Sequence, residues 1–372
     1  MNEVGNTMKK LLLLTSGGDC PGLNGVIRAV VKAAEHDGDW QVYGSRRAYC
    51  GVLEKPNDII HLTSEVVAGI HVRGGTILET VNKGNPTAFP AEIAGEQVFI
   101  DRSDELISII KQLGFDAVIN IGGDGSHRVS QHLFEHGLNI VGVPKTIDND
   151  LYGTDYTIGF QTAVDTATEA IDRLIPTAQS HNRVIVTEVM GRDAGWICLH
   201  SAIAAGAEVA LIPEIPYDIE AIKAKLKSRF DKGHGFANIV ISEGAKPLAG
   251  SVVSKQSNEF GYENPILGGI AEHLASQIRV ALDLDVRVTV LGHIQRGGTP
   301  NAFDRVLAAE FGVQAFELVK HGRFGFIPVS KDGEIKPISL KEATSEYRVI
   351  PLEHSLISSA RAMGMCLGEE LS

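Results

Sequence analysis

Short apolar runs alternate with amphipathic stretches along this chain. Residues 10–15, 117–121, 140–143, 184–189, 210–212, 237–241 and 286–291 read as buried strands. Residues 24–35, 104–113, 161–174, 219–230, 268–282 and 304–319 read as helices. In 161–174 the apolar residues Val164, Ala167, Ala170, Ile171 and Leu174 recur at helical spacing and form a packing face. Strand-then-helix alternation of this kind predicts an α/β protein with a parallel sheet covered on both faces. Residues 245–262 are polar and irregular and read as a surface loop, and residues 1–7 as a loose terminus. No tandem repeat or low-complexity tract interrupts the pattern. Residues 8–15 have a basic start and four leucines, but polar Ser-Gly-Gly-Asp follows at once. That run is too short for a signal peptide or membrane span and reads as the first strand.

The 372 residues exceed a typical single core, which predicts two lobes or more. A hydrophobic content of 44% and a charged content of 22% are those of an ordinary globular protein. The net charge of −12 disfavours a general nucleic-acid or membrane-surface binder. Anionic substrates stay open, because a site needs only a local cluster of Arg and Lys. Cys20, Cys50, Cys198 and Cys366 are scattered without metal-ligand spacing, which reads as reduced thiols in a cytoplasmic protein.

In open α/β sheets, ligands bind beyond the carboxyl ends of strands, so the chemistry is sought in the residues after each strand. Residues 16–24 (SGGDCPGLN) follow the first, and their glycines let backbone N–H groups approach an anion at a helix N-terminus. A plain strand-to-helix turn would look the same. After 117–121 comes GGDGS, in which Gly123, Gly125 and Ser126 flank Asp124, a carboxylate placed to hold Mg²⁺ against phosphates. After 140–143 comes PKTIDND, where Lys145 and Thr146 precede Asp148 and Asp150. A base there can take a proton from a sugar hydroxyl, although Asp and Asn also favour capped turns. Met190, Gly191 and Arg192 follow 184–189, and His293 and Arg296 share a glycine-flanked turn after 286–291 that suits a phosphate monoester. Arg183 and Arg287 add cations beside the same two strands.

Together these segments resemble the phosphofructokinase family. The matching pieces are SGGDCPGLN (16–24), GGDGS (122–126), PKTIDND (144–150), GTDYTIGF (153–160), SHNR (180–183), EVMGR (188–192) and LGHIQRGGT (291–299), in family order. The lipid-kinase and NAD-kinase families match only around GGDG. The resemblance implies two similar Rossmann-like α/β lobes with the active site between them. Residues 8–159 plus about 295–345 would form the phosphoryl-donor lobe, and 160–294 plus about 346–372 the fructose 6-phosphate lobe. It further implies that Gly17 offers backbone N–H groups to the transferring phosphoryl. Asp124 would organise Mg²⁺. Asp148 would be the base toward the sugar 1-hydroxyl, supported by Thr146 and Asp150. Met190, Gly191 and Glu243 would contact the sugar, Arg192 would stabilise the transferring group, and His293 and Arg296 would hold the 6-phosphate. Arg183 and Arg287 resemble arginines that reach this site from a neighbouring subunit, which implies a homo-oligomer, dimer or tetramer.

The donor rests on two positions that disagree. Gly125 leaves room for the α-phosphate of ATP, where pyrophosphate users commonly carry Asp. Lys145 is common in pyrophosphate users. A lysine serves either donor, whereas an Asp in place of Gly125 would oppose ATP, so ATP is the expected donor and pyrophosphate the alternative. Where many family members place an Arg near the donor phosphates, this chain has Asn82-Lys83, and Lys83 can substitute only as a point charge. Arg46 and Arg47 are unexpected in a loop (44–51) that usually carries more glycine. Arg28 and Lys32 read as solvated helix charges and imply no particular effector. A catalytically silent regulatory subunit is the remaining alternative class, and acceptance of larger ketose phosphates is open.

Overall fold

The computed structural model describes residues 8–81, 84–93, 95–248 and 268–369. Its first sheet has five strands in the order Ile59–Leu62, Trp40–Ser45, Lys9–Thr15, Ala117–Gly122 and Ile140–Pro144. All pairs are parallel except the antiparallel edge strand Ile59–Leu62. Leu11, Leu12, Leu13 and Leu14 are all fully buried, which explains an apolar run without alternation: both faces of the strand are covered. The second sheet is wholly parallel, in the order Val286–Val290, Val184–Val189, Ala237–Ser242 and Val209–Leu211. The seven expected strands are therefore present, each within a residue or so of its expected bounds.

The sequence pattern passed over Trp40–Ser45, whose alternating burial lasts only four residues and ends at the buried pair Gly44 and Ser45. It also passed over the hairpins Phe89–Ile93/Glu96–Ile100 and Phe326–Lys331/Glu334–Ser339. The helix expected over 161–174 runs from Phe160 to Ser180, with Pro176 inside it. The helix Trp196–Ala204 was hidden because it is apolar nearly all round and so lacks a polar stripe. Residues 245–248 hold to Tyr217 through backbone bonds, and the rest of the expected 245–262 loop lies outside the described residues.

Two later segments return to the first sheet. The helix Ala302–Lys320 packs on Leu23–Asp37, where a side-chain carbon at Gly312 would come within 2.7 Å of Ala29 Cβ and 2.9 Å of Val26 O. The strand Phe326–Lys331 packs beside Ile140–Pro144. The tail instead joins the second sheet, where Cys366 bridges to Val209. Among the described residues no helix is long and apolar enough to cross a membrane.

Asp304 ties the returning helix to the start of Phe160–Ser180. Its buried carboxylate accepts from Gly159 N at 3.0 Å, Thr162 N at 2.8 Å and the Thr162 hydroxyl. Asp304→Ala strands these donors in the interior and should lower unfolding free energy by about 2–4 kcal/mol. A urea midpoint shift at unchanged m-value measures the loss.

Candidate active site

The carboxyl ends of the two sheets face one cavity of about 470 Å³. Its walls include Gly17, Gly123, Asp124, Gly125, Ser126, Lys145 and Thr146 from the first sheet's turns. Arg192, His293 and Arg296 enter from turns of the second. Five strand-end turns quoted from the sequence thus meet in one place. Asp148, Asp150, Met190, Gly191 and Glu243 are not among the residues lining it, although Asp148 follows the lining residues Thr146 and Ile147. Lys83 lies outside the described residues.

The two glycine turns are held from beneath by Asn120, a fully buried amide in the strand Ala117–Gly122. Its Oδ1 accepts from Ser16 Oγ at 2.6 Å, and its Nδ2 donates to Ser130 Oγ at 2.8 Å and to the Tyr49 hydroxyl at 3.1 Å. One side chain thereby joins the first turn to the helix Asp124–Glu135. His127, buried in that helix, holds it to the next strand through Nε2 and Val143 O at 3.1 Å. Burial pushes His127 down to about 4, so the ring is neutral and Nε2 carries the donated proton. Neither role was read from the sequence. The one available signal was a polar residue, Asn120, inside an apolar strand.

Gly17 has φ +75, a conformation that favours glycine, and a side-chain carbon there would approach Ser126 Oγ to 3.3 Å. At Gly18 such a carbon would sit 1.6 Å from Arg296 Nη1. Arg296 thus reaches from the second sheet's turn onto the first glycine turn. Lys145 is buried and donates Nζ to Gly18 O. Burial pulls its ammonium down to about 8.

Asp124 is buried at the start of its helix, with Oδ2 on Arg128 Nε at 2.8 Å and Oδ1 shut off from solvent without a partner. Asp148 Oδ1 and Arg296 Nε are enclosed and unpartnered in the same way. Burial raises Asp148 above the ordinary carboxylate range, while Arg296, Lys145 and Arg192 pull it back. Asp150 rises through burial and the nearby Asp148 charge. Glu243 is pushed up to about 7 by burial first and Asp148 second. All three carboxyls are therefore driven toward the neutral form, and at Asp148 the cations oppose that shift.

The turn carrying Asp148 is pinned by the segment 153–160. Thr157 Oγ1 donates to Thr146 O at 2.6 Å, and Asn149 Oδ1 accepts from Thr157 N at 2.9 Å. Thr146 Oγ1 accepts from Asp148 N at 3.2 Å. Gln295, fully buried, joins the two turns of the second sheet by accepting from Met190 N at 3.3 Å. Arg46 and Arg47 turn to acids of their own loop and its surroundings, with Arg47 on Glu54 at 2.5 Å and Asp58 at 3.3 Å. Arg183 and Arg287 flank the second sheet's opposite, amino-terminal end, both paired with Asp285. The structure does not bring them into this chain's own cleft.

Fold and site together define an α/β protein whose two largely parallel sheets share a cleft lined by Lys145, Arg192, His293 and Arg296 beside Asp19 and Asp124. The family model described as Phosphofructokinase matches residues 10–319, and the chain belongs to that family. It is 44% identical over 364 residues to "ATP-dependent 6-phosphofructokinase 1" of Synechocystis sp., covering 98% of this chain and 99% of that protein. It is 43% identical over 364 residues to "ATP-dependent 6-phosphofructokinase 2" of Clostridium perfringens, covering 97% and 99%. Among solved structures, the phosphofructokinase of Saccharomyces cerevisiae superposes with a TM-score of 0.75 at 29% identity. That match covers 96% of this chain, which spans 47% of the yeast chain. A pyrophosphate-dependent phosphofructokinase from Nitrosospira multiformis shares the fold, with a TM-score of 0.78 at 23% identity over 97% of this chain and 93% of that one.

Lys145 supplies a test of the site's electrostatics. Its ammonium is less stable in the folded protein than in the unfolded chain, whose value is 10.5. Folding is therefore penalised below about pH 8, and stability should rise as pH climbs from about 8 toward 10.5. Lys145→Met should abolish that rise and gain about 1–3 kcal/mol at pH 7. Calorimetry of both proteins across this range reads the difference.

Proposed function

We propose that this chain is an ATP-dependent 6-phosphofructokinase, transferring the γ-phosphoryl of ATP to the 1-hydroxyl of fructose 6-phosphate in glycolysis. The observation that carries the reading is the enclosed, unpartnered Asp148 Oδ1 beside Arg296, Lys145 and Arg192, in a chain matched end to end by relatives bearing that name. In this reading Asp148 takes the proton of the 1-hydroxyl as that oxygen bonds to phosphorus and the bond to ADP breaks. Thr146 holds Asp148 in place, and burial together with the Asp148 charge disfavours a second charge on Asp150. Arg192 and the backbone N–H groups at Gly17 offset charge on the transferring group. Gly123, Gly125 and Ser126 give the donor phosphates room and polar contacts.

Mg²⁺ fits Asp124, whose Oδ1 is buried without a partner at the cavity wall. Among the described residues no group of three acidic, His or Cys side chains forms a metal cage, which suits an ion held chiefly by phosphates and water. When bound it would neutralise donor phosphate charge. Met190, Gly191 and Glu243 would contact the sugar, and His293 and Arg296 its phosphate. Arg183 and Arg287, held together by Asp285 at the far end of the strands, suit a neighbouring copy's site in a homo-oligomer, dimer or tetramer. A cytoplasmic location accords with this role. The returning segments support a donor lobe of 8–159 plus about 295–345 and an acceptor lobe of 160–294 plus about 346–372.

Initial rates of the purified protein with ATP and with pyrophosphate test the donor; turnover with pyrophosphate alone would refute it. Asp148→Asn should lower kcat by about 10³-fold with little change in KM for ATP. The acid limb of kcat should lie above the ordinary carboxylate range, because the base must be ionised and burial raises it. Arg183→Ser should raise KM for fructose 6-phosphate while KM for ATP stays level.

A further inference from the structure

The turn that carries Asp148 has an unusual backbone. Asn149 adopts φ 54, a conformation that costs a non-glycine residue about 1 kcal/mol or more and persists only when neighbours enforce it. One residue, 199 positions away, grips this turn at two carbonyls. Arg348 donates Nη1 to Asn149 O at 3.0 Å and its backbone N to Asp150 O at 2.8 Å.

The guanidinium is itself held over an aromatic ring. It lies 4.0 Å from the Trp196 ring centre, and Trp196 Nε1 donates back to Arg348 O at 3.0 Å. Trp196 opens the helix Trp196–Ala204, directly after the turn bearing Arg192. Two residues further on, Ile350 N donates to Glu214 Oε1 at 3.0 Å. The same carboxylate accepts from Gly195 N at 3.0 and 3.1 Å. The stretch 348–350 is therefore a strap between two turns: one presents Asp148 and the other presents Arg192. Arg348 does not line the catalytic cavity.

We propose that Arg348 is a positioning residue for phosphoryl transfer, clamped on Trp196 so that the turn of Asp148 stays at a fixed separation from the turn of Arg192. The inference rests on Asp148 as the base. Its physical basis is the planar fork of arginine: stacking sets the plane, and the plane aims Nη1 at the Asn149 carbonyl. A lysine has no plane to stack and no fork to aim. Misplacement of a base by a fraction of an ångström acts on the chemical step, so the loss should fall on kcat and not on substrate affinity.

The test uses the full-length chain with Arg348→Met, Arg348→Lys, Trp196→Phe and Asp148→Asn. Arg348→Met should lower kcat by about 10–100-fold and leave KM for both substrates within about threefold. Millimolar ethylguanidinium should recover part of the lost rate, which a general loss of stability would not allow. Arg348→Lys should remain slow. Trp196→Phe keeps a ring but loses the N–H, and should lower kcat to a smaller extent. Folded Arg348→Met with kcat within about threefold of the parent would overturn the proposal. So would full activity in Arg348→Lys, or a loss that ethylguanidinium leaves untouched. If Arg348→Met does not fold, Trp196→Phe decides, and an unchanged kcat there is equally fatal. An active Asp148→Asn would instead remove the underlying assignment of the base.

Discussion

The cleft depends on a balance of charge in a place with little water. Asp124, Asp148, Asp150 and Glu243 lie close enough to feel one another's charge, and burial raises each of the last three. Arg296, Lys145 and Arg192 offset them unequally, with Asp148 favoured. Because like charges in low dielectric repel strongly, all three carboxyls are pushed toward neutrality, and the cations oppose that push at Asp148. Much of the surrounding architecture serves that arrangement. Asn120 joins the glycine turns, Thr157 pins the turn of Asp148, and Gln295 links its own turn to that of Met190.

Lys145 illustrates how one residue can read differently in sequence and in space. Along the chain it is a cation beside two acids, and it argues for a small inorganic donor. In the structure it is buried, bonded to Gly18 O, and its ammonium is pulled down to about 8. It therefore supports the first glycine turn as well as lying in the cavity wall. That double setting fits the relatives named as ATP users, alongside the open space that Gly125 implies.

Strands buried on both faces were legible because their residues are apolar without a break, and the turns after them were legible because glycine and acid cluster there. Resemblance then supplied an order for the turns. What escaped was whatever depends on distant partners. Trp196–Ala204 carries no polar stripe to mark it as a helix. Arg348 sits in a polar stretch that looks like any solvated segment, and only folding brings it onto Asn149. His127 resembles a helix-surface residue until the strand Ile140–Pro144 covers it. Periodicity reports which side of an element is buried, and contains nothing about what it is buried against.

The rim of the first sheet has a separate bearing on how the molecule behaves in company. One edge is the four-residue antiparallel strand Ile59–Leu62, and the other ends at Pro144, which has no N–H to offer. Neither gives a stranger's backbone a long row of unpaired groups to add to. Such blunted borders leave little template for edge-to-edge pairing with another chain.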